Sequence, residues 1–416
     1  MNKGINLFYI LSWLALCVFS CTTDNPVIVP NLPKPLSGAT IIPEASTRIM
    51  EGVYEVVKGQ QRFGETVVVK WYGQKLSLLS KSCYTVLLNT GYKDSTILMQ
   101  GFWRIPTSDG TGIANFSIAK LEGARNILKA APTTSITIKG EFGTGNSSPS
   151  SNAEFKYLRP FSTSVKAKDF FIIAHRGGGR TSDRLPVSEN SIPMIGYTEY
   201  LGSNGVEIDI RLTKDKVPIL YHDEDINIRL TIKGPLNGPI NNFTLDQLSA
   251  FVRLIRGEKI PKLEDALNYV VDSTRLEFVW LDMKESTEAL NLVIPIQDRI
   301  IKKALSKGRK LSLFVGIPTE DVLNGFKSIS NHQSVPSLCE ISPETARELN
   351  SKAWAPRWTL GTQNDLVAQV QSEGRKVFCW TIDSPDYIKT FSEEGIFDGL
   401  LSNYPSTVAY YHYIKE

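Results

Sequence analysis

Hydrophobic and polar residues alternate in two different ways along the chain, and the change divides it into two parts. Between residues 47 and 145, apolar side chains recur at every second position over short runs, which is typical of β-strands with one buried face. Turn-forming groups such as Asp109-Gly110 separate several runs. Seven short strands at this spacing predict a small antiparallel barrel or sandwich. The runs are Gly52–Val57, Thr66–Trp71, Lys75–Leu79, Tyr84–Leu88, Thr96–Met99, Ile113–Ile118 and Ser135–Ile138.

The part from residue 169 to 416 alternates apolar strands with amphipathic helices. Helical spacing of apolar residues runs over 263–271, 290–305 and 343–349. Eight strands with crossover helices predict an α/β fold of the TIM (β/α)8 barrel type, in which catalytic residues sit at the carboxyl ends of the strands. The strand candidates are Phe170–Ala174, Val206–Ile210, Val217–Tyr221, Glu277–Leu281, Leu311–Val315, Ser337–Ile341, Lys376–Trp380 and Asp398–Leu401.

Two stretches without a regular pattern mark the boundaries between these parts. Five prolines fall between residues 22 and 46, which is typical of a semi-extended tether. Residues 143–152, Gly-Thr-Gly-Asn-Ser-Ser-Pro-Ser-Ser-Asn, have the composition of a flexible connection. The predicted organisation is therefore a Pro-rich tether over 21–46, an all-β accessory domain over 47–145, a linker over 146–168 and a barrel over 169–416.

The start of the chain has the features of an export signal. Lys3 precedes an apolar run over 7–19, which is shorter than the roughly 20 residues that a membrane span needs. The following Val18-Phe19-Ser20-Cys21 resembles a bacterial lipobox, in which the cysteine is acylated after cleavage. We predict a signal peptide over 1–20 and lipidation of Cys21, with an ordinary cleaved signal as the alternative. The lipidated protein would be anchored to a membrane, in the periplasm or at the cell surface.

Composition and charge exclude several classes of protein. The 46 Lys and Arg residues nearly balance the 43 Asp and Glu residues, and the basic residues are dispersed rather than gathered in the stripe of a nucleic-acid binder. Five cysteines in 416 residues, with no Cys-x-x-Cys pair, exclude a disulfide scaffold and a zinc site of paired cysteines. We expect Cys83, Cys339 and Cys379 to be buried thiols, because they lie in apolar strand-like stretches.

Aromatic residues in the all-β domain leave two interpretations open. They either pack in the core and on the strand surfaces or line a carbohydrate or lipid site. The packing interpretation is the one we favour, because nothing else in the pattern identifies a ligand. The residues are Tyr54, Trp71, Tyr72, Tyr92 and Trp103.

Residues capable of acid–base chemistry lie at the ends of predicted barrel strands. The first strand ends in His175 and Arg176, and the third candidate ends in His222. Two of the four histidines of the chain thus fall at strand ends. Histidines that titrate near neutrality can act as general base and general acid.

Acidic and basic residues at the same strand ends suit a metal and a phosphate. Glu207 and Asp209 are two residues apart on the second strand, so both carboxylates point to one face. With Asp282 on the fourth candidate, they offer oxygen ligands that suit Ca²⁺ or Mg²⁺ better than zinc. Arg176 and Lys284 add cationic donors for a charged transition state. The combination predicts metal-assisted cleavage of a phosphodiester.

These residues belong to an ordered series of motifs that extends from Phe170 to Pro405. The series resembles the glycerophosphodiester phosphodiesterase family, and the ordered set is specific although each motif alone is weak. The resemblance implies a TIM-barrel enzyme that releases an alcohol and glycerol 3-phosphate. The motifs are Ala174-His-Arg-Gly-Gly178, Glu189-Asn-Ser191, Gly205-Val-Glu-Ile-Asp209, Leu212-Thr-Lys-Asp215, Val217-Pro-Ile-Leu-Tyr-His-Asp223, Ile260-Pro-Lys-Leu-Glu-Asp-Ala-Leu267 and Val377-Phe-Cys-Trp-Thr-Ile382.

Carried over by position, the resemblance implies a role for individual residues. His175 and His222 would be the acid–base pair. Glu207, Asp209 and Asp282 would hold one divalent cation, Ca²⁺ or Mg²⁺. Arg176 and Lys284 would contact the phosphate, and Trp380 would stack on the glycerol unless it merely packs. The residues implied to bind the substrate or lie beside the metal are Arg176, Lys284, Glu189, Asn190 and Trp380.

The chain departs from the usual family pattern in four places. The connection over 180–188 is longer than usual, and Ser188 stands where proline is expected. We expect this longer loop to lie over the active-site mouth. Asp282 stands where the family usually has Glu, and its side chain is one methylene shorter. Asn403 stands where the family often has Asp, and we interpret this as a modest change at the barrel rim.

The sequence as a whole predicts an exported, membrane-anchored hydrolase of small-molecule glycerophosphodiesters, with no nucleic-acid partner. One alternative is a related barrel phosphodiesterase that acts on lysophospholipids or phosphoinositol, which would need an apolar rim around the mouth. The other alternative is a non-catalytic surface binding protein. The presence of both histidines and all three acidic residues argues against a barrel that has lost its activity.

Overall fold

The computed structural model describes residues 29–32, 36–167, 169–285 and 287–416. The predicted signal peptide over 1–20, Cys21, and tether residues 22–28 and 33–35 lie outside the described residues, so these predictions stay predictions. In the described ranges, none of the helices combines the length and the apolar character needed to cross a membrane. The described chain forms two barrels.

The first barrel is closed and antiparallel, which confirms the all-β domain. Its eight strands follow one another in sequence, and the last pairs with the first. The strands are β1 Gly52–Lys58, β2 Thr66–Tyr72, β3 Lys75–Leu79, β4 Thr85–Lys93, β5 Thr96–Arg104, β6 Thr111–Ile118, β7 Thr137–Phe142 and β8 Ser151–Arg159. The short helices of this part are α1 Glu44–Thr47, α2 Gln60–Phe63, α3 Ala124–Leu128 and α4 Thr163–Ala167.

Two predicted boundaries of the first barrel need correction. The predicted linker over 146–168 contains β8, which pairs with β7 and β1 and closes the barrel. Its polar, Ser-rich start hides the short alternation of Ala153 and Phe155, both of which are buried. The predicted tether over 21–46 ends earlier than expected, because Ile42 is fully buried in the barrel core.

Large side chains fill the interior of the first barrel. Tyr54, Trp71 and Trp103 are at most 5% exposed and belong to one apolar cluster, as the packing interpretation predicts. The Trp103 Nε1 donates to the carbonyl of Gly143 at 2.8 Å, which satisfies the buried indole. Gly101 is needed where β4 and β5 pass each other, because a Cβ there would lie 1.6 Å from a main-chain oxygen of β4.

The second barrel is a closed ring of eight parallel strands, so the predicted TIM barrel is confirmed. The ring contains β9, β10 and β14–β19, and the crossover helices surround it. The strands are β9 Phe171–Ala174, β10 Gly205–Leu212, β11 Pro218–Leu220, β12 Asp225–Ile226, β13 Gly238–Pro239, β14 Phe278–Met283, β15 Ser312–Ile317, β16 Ser337–Cys339, β17 Ala353–Trp354, β18 Lys376–Cys379 and β19 Gly399–Ser402. The helices are α5 Ile192–Thr198, α6 Leu245–Phe251, α7 Leu263–Ser273, α8 Thr287–Ser306, α9 Glu320–Lys327, α10 Pro343–Glu348, α11 Asn364–Ser372, α12 Pro385–Glu393 and α13 Pro405–Tyr413.

Two strands of the predicted ring need correction. The predicted third strand is β11, which pairs antiparallel with β10 and forms a hairpin beside the ring. The strand that the sequence missed is β17, whose two residues are too short to show a period. Asp282 therefore lies on the third strand of the ring rather than the fourth.

The two barrels share an interface that centres on α13. The Thr66 Oγ1 lies 2.7 Å from the Tyr410 hydroxyl, and the Lys70 Nζ donates to the Tyr413 hydroxyl at 2.9 Å. Apolar residues of both barrels belong to one buried cluster at this interface, including Val53, Val68, Leu79, Val408 and Ala409. The first barrel is therefore docked on the second through buried apolar contacts and hydrogen bonds.

The three cysteines in the described chain are buried free thiols, as predicted. Cys83 lies at the interface between the barrels, where the Thr407 hydroxyl donates to its Sγ at 3.0 Å. Burial raises the pKa of the Cys83 thiol to about 11, so the group stays protonated at neutral pH.

Candidate active site

The carboxyl ends of the parallel strands surround a cavity of about 430 Å³. A larger cleft, of about 730 Å³, lies where the two barrels meet, but its described lining contains none of the predicted site residues. We place the candidate site in the smaller cavity, because that is where the chemistry-bearing side chains meet. Its lining includes His175, Arg176, Glu207, His222, Trp280, Asp282, Lys284, Glu340, Arg357 and Trp380.

Three carboxylates from two neighbouring strands form an acidic cluster at the cavity. One oxygen each of Glu207, Asp209 and Asp282 lies within 4.8 Å of the others. The parallel register places Asp209 of β10 opposite Asp282 of β14. Within the described chain, the Glu207 Oε1 and Asp282 Oδ1 are buried without a hydrogen-bond partner. Buried carboxylate oxygens without donors fit an oxygen-coordinated cation such as Ca²⁺ or Mg²⁺.

The electrostatics of the cluster are set by burial and by mutual repulsion. Burial, and then the neighbouring Asp209, raise the pKa of Glu207 well above its usual value. Burial also raises the pKa of Asp282. For Asp209, burial acts in the same direction, but the positive charges around it, with Lys284 foremost, outweigh it and lower the pKa. The cluster therefore carries unfavourable negative charge that a cation would relieve.

Two basic residues face the same cluster. The Lys284 Nζ lies 2.8 Å from the Asp209 Oδ1 and 2.5 Å from the Asp282 Oδ2. Burial alone would lower the pKa of Lys284, but these two carboxylates raise it, so the ammonium stays charged. The Arg176 backbone N–H donates to the Glu207 Oε2 at 2.8 Å, which fixes that carboxylate.

Glu189 and Asn190 support the site from behind. The Glu189 Oε1 accepts from the Arg176 Nη1 at 2.8 Å. The Asn190 Nδ2 donates to the Asp209 Oδ2 at 2.7 Å, and its Oδ1 accepts from the Asp209 backbone N–H at 3.1 Å. Both residues thus hold other site residues in place.

The ring of His175 is held in one orientation by a chain of polar groups. The Asn403 Nδ2 donates to the Asp383 Oδ2 at 2.7 Å, which turns the amide oxygen of Asn403 towards His175. That oxygen lies 2.8 Å from the His175 Nδ1, so the Nδ1 carries the proton. The Nε2 lone pair then faces the cavity, 3.8 Å from the Glu207 Oε2. Burial, and then the charge of Arg176, lower the pKa of His175 to about 4.

The ring of His222 is held by a carboxylate. Its Nδ1 lies 2.7 Å from the Asp223 Oδ1 and donates to it. Asp223 also accepts from the Asn227 Nδ2 at 2.7 Å and from the Arg229 Nε at 3.0 Å. Burial opposes ionisation of Asp223, but the hydrogen bonds from Arg229 and His222 lower its pKa. The carboxylate is thus placed to stabilise a protonated ring on His222.

A comparison with known protein families agrees with this geometry. The model of the glycerophosphoryl diester phosphodiesterase family matches residues 175–407, more than half of the 416-residue chain. The chain belongs to the glycerophosphoryl diester phosphodiesterase family. The match covers both histidines, the three carboxylates and nearly the whole parallel barrel.

Curated relatives and solved structures named as glycerophosphodiester phosphodiesterases are similar to part of the chain. The glycerophosphodiester phosphodiesterase of Caldanaerobacter subterraneus subsp. tengcongensis is 25% identical over 57% of this chain and 95% of its own length. The probable glycerophosphodiester phosphodiesterase 2 of Mycobacterium tuberculosis is 26% identical over 56% and 86%. The crystal structure of a glycerophosphodiester phosphodiesterase from Parabacteroides distasonis covers 58% of this chain and 95% of its own, with 21% identity and a TM-score of 0.46. As a member of this family, the chain is an enzyme, a phosphoric diester hydrolase.

Two residues of the glycerophosphoryl diester phosphodiesterase site, Glu340 and Asp383, were not predicted from the sequence. Glu340 follows β16 and lines the cavity with a buried Oε1 that has no partner in the described chain. It was hidden because the predicted strand over 337–341 ran past it. Asp383 was missed because its role depends on Asn403, whose change appeared modest in the sequence. A correct end for β16 at Cys339 would have identified Glu340 as the acidic residue that follows the strand. Only the structure shows that Asp383 is connected to His175.

Trp380 and Arg357 lie together at the cavity. The Arg357 guanidinium carbon is 4.9 Å from the centre of the Trp380 ring. The Trp380 Nε1 donates to the carbonyl of Ala355 at 2.8 Å, which fixes the ring plane. Trp380 lines the cavity, and its stacking on glycerol stays a prediction.

The longer connection that distinguishes this glycerophosphoryl diester phosphodiesterase does not lie over the mouth. We call residues 178–188 the bracing loop. None of the described residues that line the cavity belongs to it, so this prediction was wrong. The loop contains a short turn over Thr181–Asp183 and folds behind Arg176, where Asp183 is only 2% exposed.

Proposed function

We propose that this chain hydrolyses glycerophosphodiesters to an alcohol and glycerol 3-phosphate, with one divalent cation and two-histidine acid–base catalysis. One observation carries the proposal: a single cavity holds two oriented imidazoles beside three clustered carboxylates. The substrate class is supported by membership of the family and by relatives named glycerophosphodiester phosphodiesterases. Return of either Ca²⁺ or Mg²⁺ after chelation distinguishes which cation the enzyme uses.

The cation would be held by Glu207, Asp209 and Asp282. Their oxygens are the ligand type that both cations prefer, and two of them lack hydrogen-bond donors in the described chain. When bound, the cation supplies positive charge at the phosphate oxygens and makes phosphorus easier to attack. Arg176 and Lys284 add fixed positive charge at the same end of the cavity.

The two histidines have different surroundings, and these suit different roles. His175 has its proton on Nδ1, so its Nε2 can accept a proton from an attacking hydroxyl. The His222 Nδ1–H donates a hydrogen bond to the Asp223 carboxylate, which stabilises the charged ring. The protonated His222 can then give its Nε2 proton to the leaving alkoxide. His175 as base and His222 as acid is therefore the assignment that we propose.

The test is turnover by the purified chain on a panel of glycerophosphodiesters. Glycerophosphocholine, glycerophosphoethanolamine, glycerophosphoglycerol and lysophosphatidylcholine are assayed for released alcohol, after chelation and after return of Ca²⁺ or Mg²⁺. We expect turnover of the unacylated diesters, loss of it with chelator, and losses of at least about a hundredfold in His175→Ala and His222→Ala. His332→Ala is the matched control, because His332 bonds to the carbonyl of Ile329 away from the cavity.

Four outcomes would contradict the proposal. Turnover that survives complete chelation would exclude the cation. Wild-type rates in either cavity variant would exclude the two-histidine mechanism. Turnover of lysophosphatidylcholine alone would favour the alternative of a related barrel phosphodiesterase that acts on lysophospholipids, and inactivity on the whole panel would favour a binding protein.

We further propose that the protein works outside the cytoplasm with a lipid on Cys21. The support is the sequence alone, namely the short apolar run and the lipobox-like Val18-Phe19-Ser20-Cys21. Cells that express the full chain are labelled with a radioactive fatty acid. We expect Cys21→Ala to lose the label and Cys17→Ala, a matched change in the signal, to keep it. Equal labelling of both variants would refute lipidation at Cys21.

A further inference from the structure

The first barrel reaches the bracing loop of the second barrel through one buried arginine. Arg104 ends β5 and is 1% exposed, and its Nη1 donates to the backbone carbonyl of Arg184 at 2.9 Å. Asp109, in the turn after β5, forms an ion pair with the side chain of the same Arg184. Both contacts therefore converge on one residue of the loop.

The residue that these contacts hold has a strained backbone. Arg184 has φ of 51°, in the left-handed region that residues with a side chain seldom occupy. Such a conformation persists only where surrounding contacts fix it. The bond from Arg104 to the carbonyl of Arg184 is one of those contacts. Its loss would let the loop relax.

One branch of contacts leads from the bracing loop to the phosphate end of the cavity. The Thr181 backbone N–H donates to the Glu189 Oε2 at 2.5 Å. The other oxygen of Glu189 accepts from the Arg176 Nη1 at 2.8 Å. The orientation of the Arg176 guanidinium thus depends on a carboxylate that the loop helps to fix.

A second branch leads from the loop to His175. The Arg180 Nη1 lies 3.7 Å from the Asp383 Oδ2, the oxygen that accepts from Asn403. Asn403 in turn accepts from the His175 Nδ1 at 2.8 Å. The loop itself is stiffened by Asp183, which accepts from the Arg180 backbone N–H at 2.7 Å. A displacement of the loop would therefore reach both Arg176 and His175.

We propose that the first barrel is part of the catalytic unit, and that Arg104 is a positioning residue that acts through the bracing loop. Arg104 and Asp109 hold Arg184, and the loop passes this constraint to the residues that bind phosphate and transfer protons. The inference rests on the proposed phosphodiesterase function of the cavity. It gives the first barrel a role other than that of a spacer.

The test compares two parts of the same interface. Arg104→Met and Asp109→Ala remove contacts with the loop, and Arg104→Lys retains one donor. Thr66→Val is the matched control, because it removes the hydrogen bond to Tyr410 of α13, which is not part of the loop. Each full-length variant is assayed for kcat and KM, and hydrogen exchange of the loop amides is followed by mass spectrometry.

We expect Arg104→Met to lower kcat by about tenfold to a hundredfold, with a smaller change in KM, because displacements of about 1 Å cost this much. Arg104→Lys should recover part of the loss. Loop amides should exchange faster in Arg104→Met and Asp109→Ala, whereas Thr66→Val should keep wild-type kcat and loop protection. If Arg104→Met does not fold, Asp109→Ala carries the test, because the Asp109 side chain is 58% exposed.

Two results would overturn the proposal. Wild-type kcat together with wild-type loop exchange in a folded loop-side variant would show that the contact positions nothing. An equal loss of kcat in Thr66→Val would show a general effect of interface stability. An inactive wild type would refute the proposed function instead, and the exchange measurement would still decide whether Arg104 holds the loop.

Discussion

Removing one carboxylate from the acidic cluster should change stability in opposite directions with and without a cation. Glu207→Gln keeps the shape of the side chain and removes its charge. In the metal-free protein, burial and Asp209 raise the pKa of Glu207 above the unfolded-state value. The folded state then binds the proton more tightly, so stability is lost as pH rises above about 4.5. At pH 8 the wild type carries this penalty and the variant does not.

The size of the stability change in Glu207→Gln depends on how deeply the Glu207 carboxylate is buried. The Glu207 side chain is 3% exposed, so solvent screens it little. Replacing a buried ion pair by neutral residues of similar volume is often neutral or stabilises a protein by about 1–4 kcal/mol. We take about 2 kcal/mol for the loss of the Glu207 charge, which burial and the neighbouring carboxylates disfavour. For a barrel of this size, 2 kcal/mol corresponds to about 4–8 °C in Tm. A cation at a hundred times its Kd adds about 2.7 kcal/mol to the wild type alone, which reverses the order.

The assay is thermal unfolding at pH 8 in chelator, and again with Ca²⁺ or Mg²⁺ in excess. Glu199→Gln is the control, because burial also raises the pKa of Glu199 but the residue lies outside the cavity. Its response to the cation should equal that of the wild type. The reasoning fails if Glu207→Gln is less stable than the wild type in chelator, or if both respond equally to the cation.

Three further predictions concern His175, the carboxylate of Asp223 that holds His222, and Gly101 in the first barrel. Burial lowers the pKa of His175 from 6.5 to about 4, so the unfolded chain binds more protons between these values. The wild type should therefore lose about 3 kcal/mol relative to His175→Asn as pH falls through this window, measured by urea unfolding in chelator. Asp223→Asn should lower kcat about a hundredfold with little change in KM, because the charged ring of His222 loses its carboxylate; an unchanged kcat would exclude His222 as the acid. Gly101→Ala should cost about 3 kcal/mol of unfolding free energy, because its Cβ would meet the Leu87 carbonyl at 1.6 Å; unchanged denaturant midpoints would contradict that close approach.

The sequence predicted those strands and helices in which hydrophobic residues recur regularly over many positions. Runs with clear alternation or helical spacing, such as β2 and α7, agree with the structure within a few residues. Elements of two or three residues have no period to detect, so β17 was missed and β11 was assigned to the ring. The order of strands in the ring depends on pairing between distant segments, which a local pattern does not contain.

The sequence predicted those site residues whose acidic or basic side chains lie on a barrel strand or directly after it. His175 directly follows β9, Glu207 lies within β10, and both line the cavity. The residues that hold these site residues in position could not be predicted in the same way. Asp383 reaches His175 through Asn403, and Arg104 belongs to another domain, so these relations exist only after the chain has folded. In the sequence, the bracing loop was visible only as extra length.

The closure of the first barrel by β8 has a consequence for the order in which the protein is made. β8 ends at Arg159 and pairs with β1, so every strand of this barrel is synthesised before β9 begins at Phe171. Units near the start of a chain generally fold while synthesis continues. We expect the first barrel to be complete before α13 is made, so that Tyr410 and Tyr413 of this helix then dock against it. The accessory barrel would thus offer the rest of the enzyme a preformed surface for assembly, and limited proteolysis of a chain that ends after β8 can detect the folded barrel.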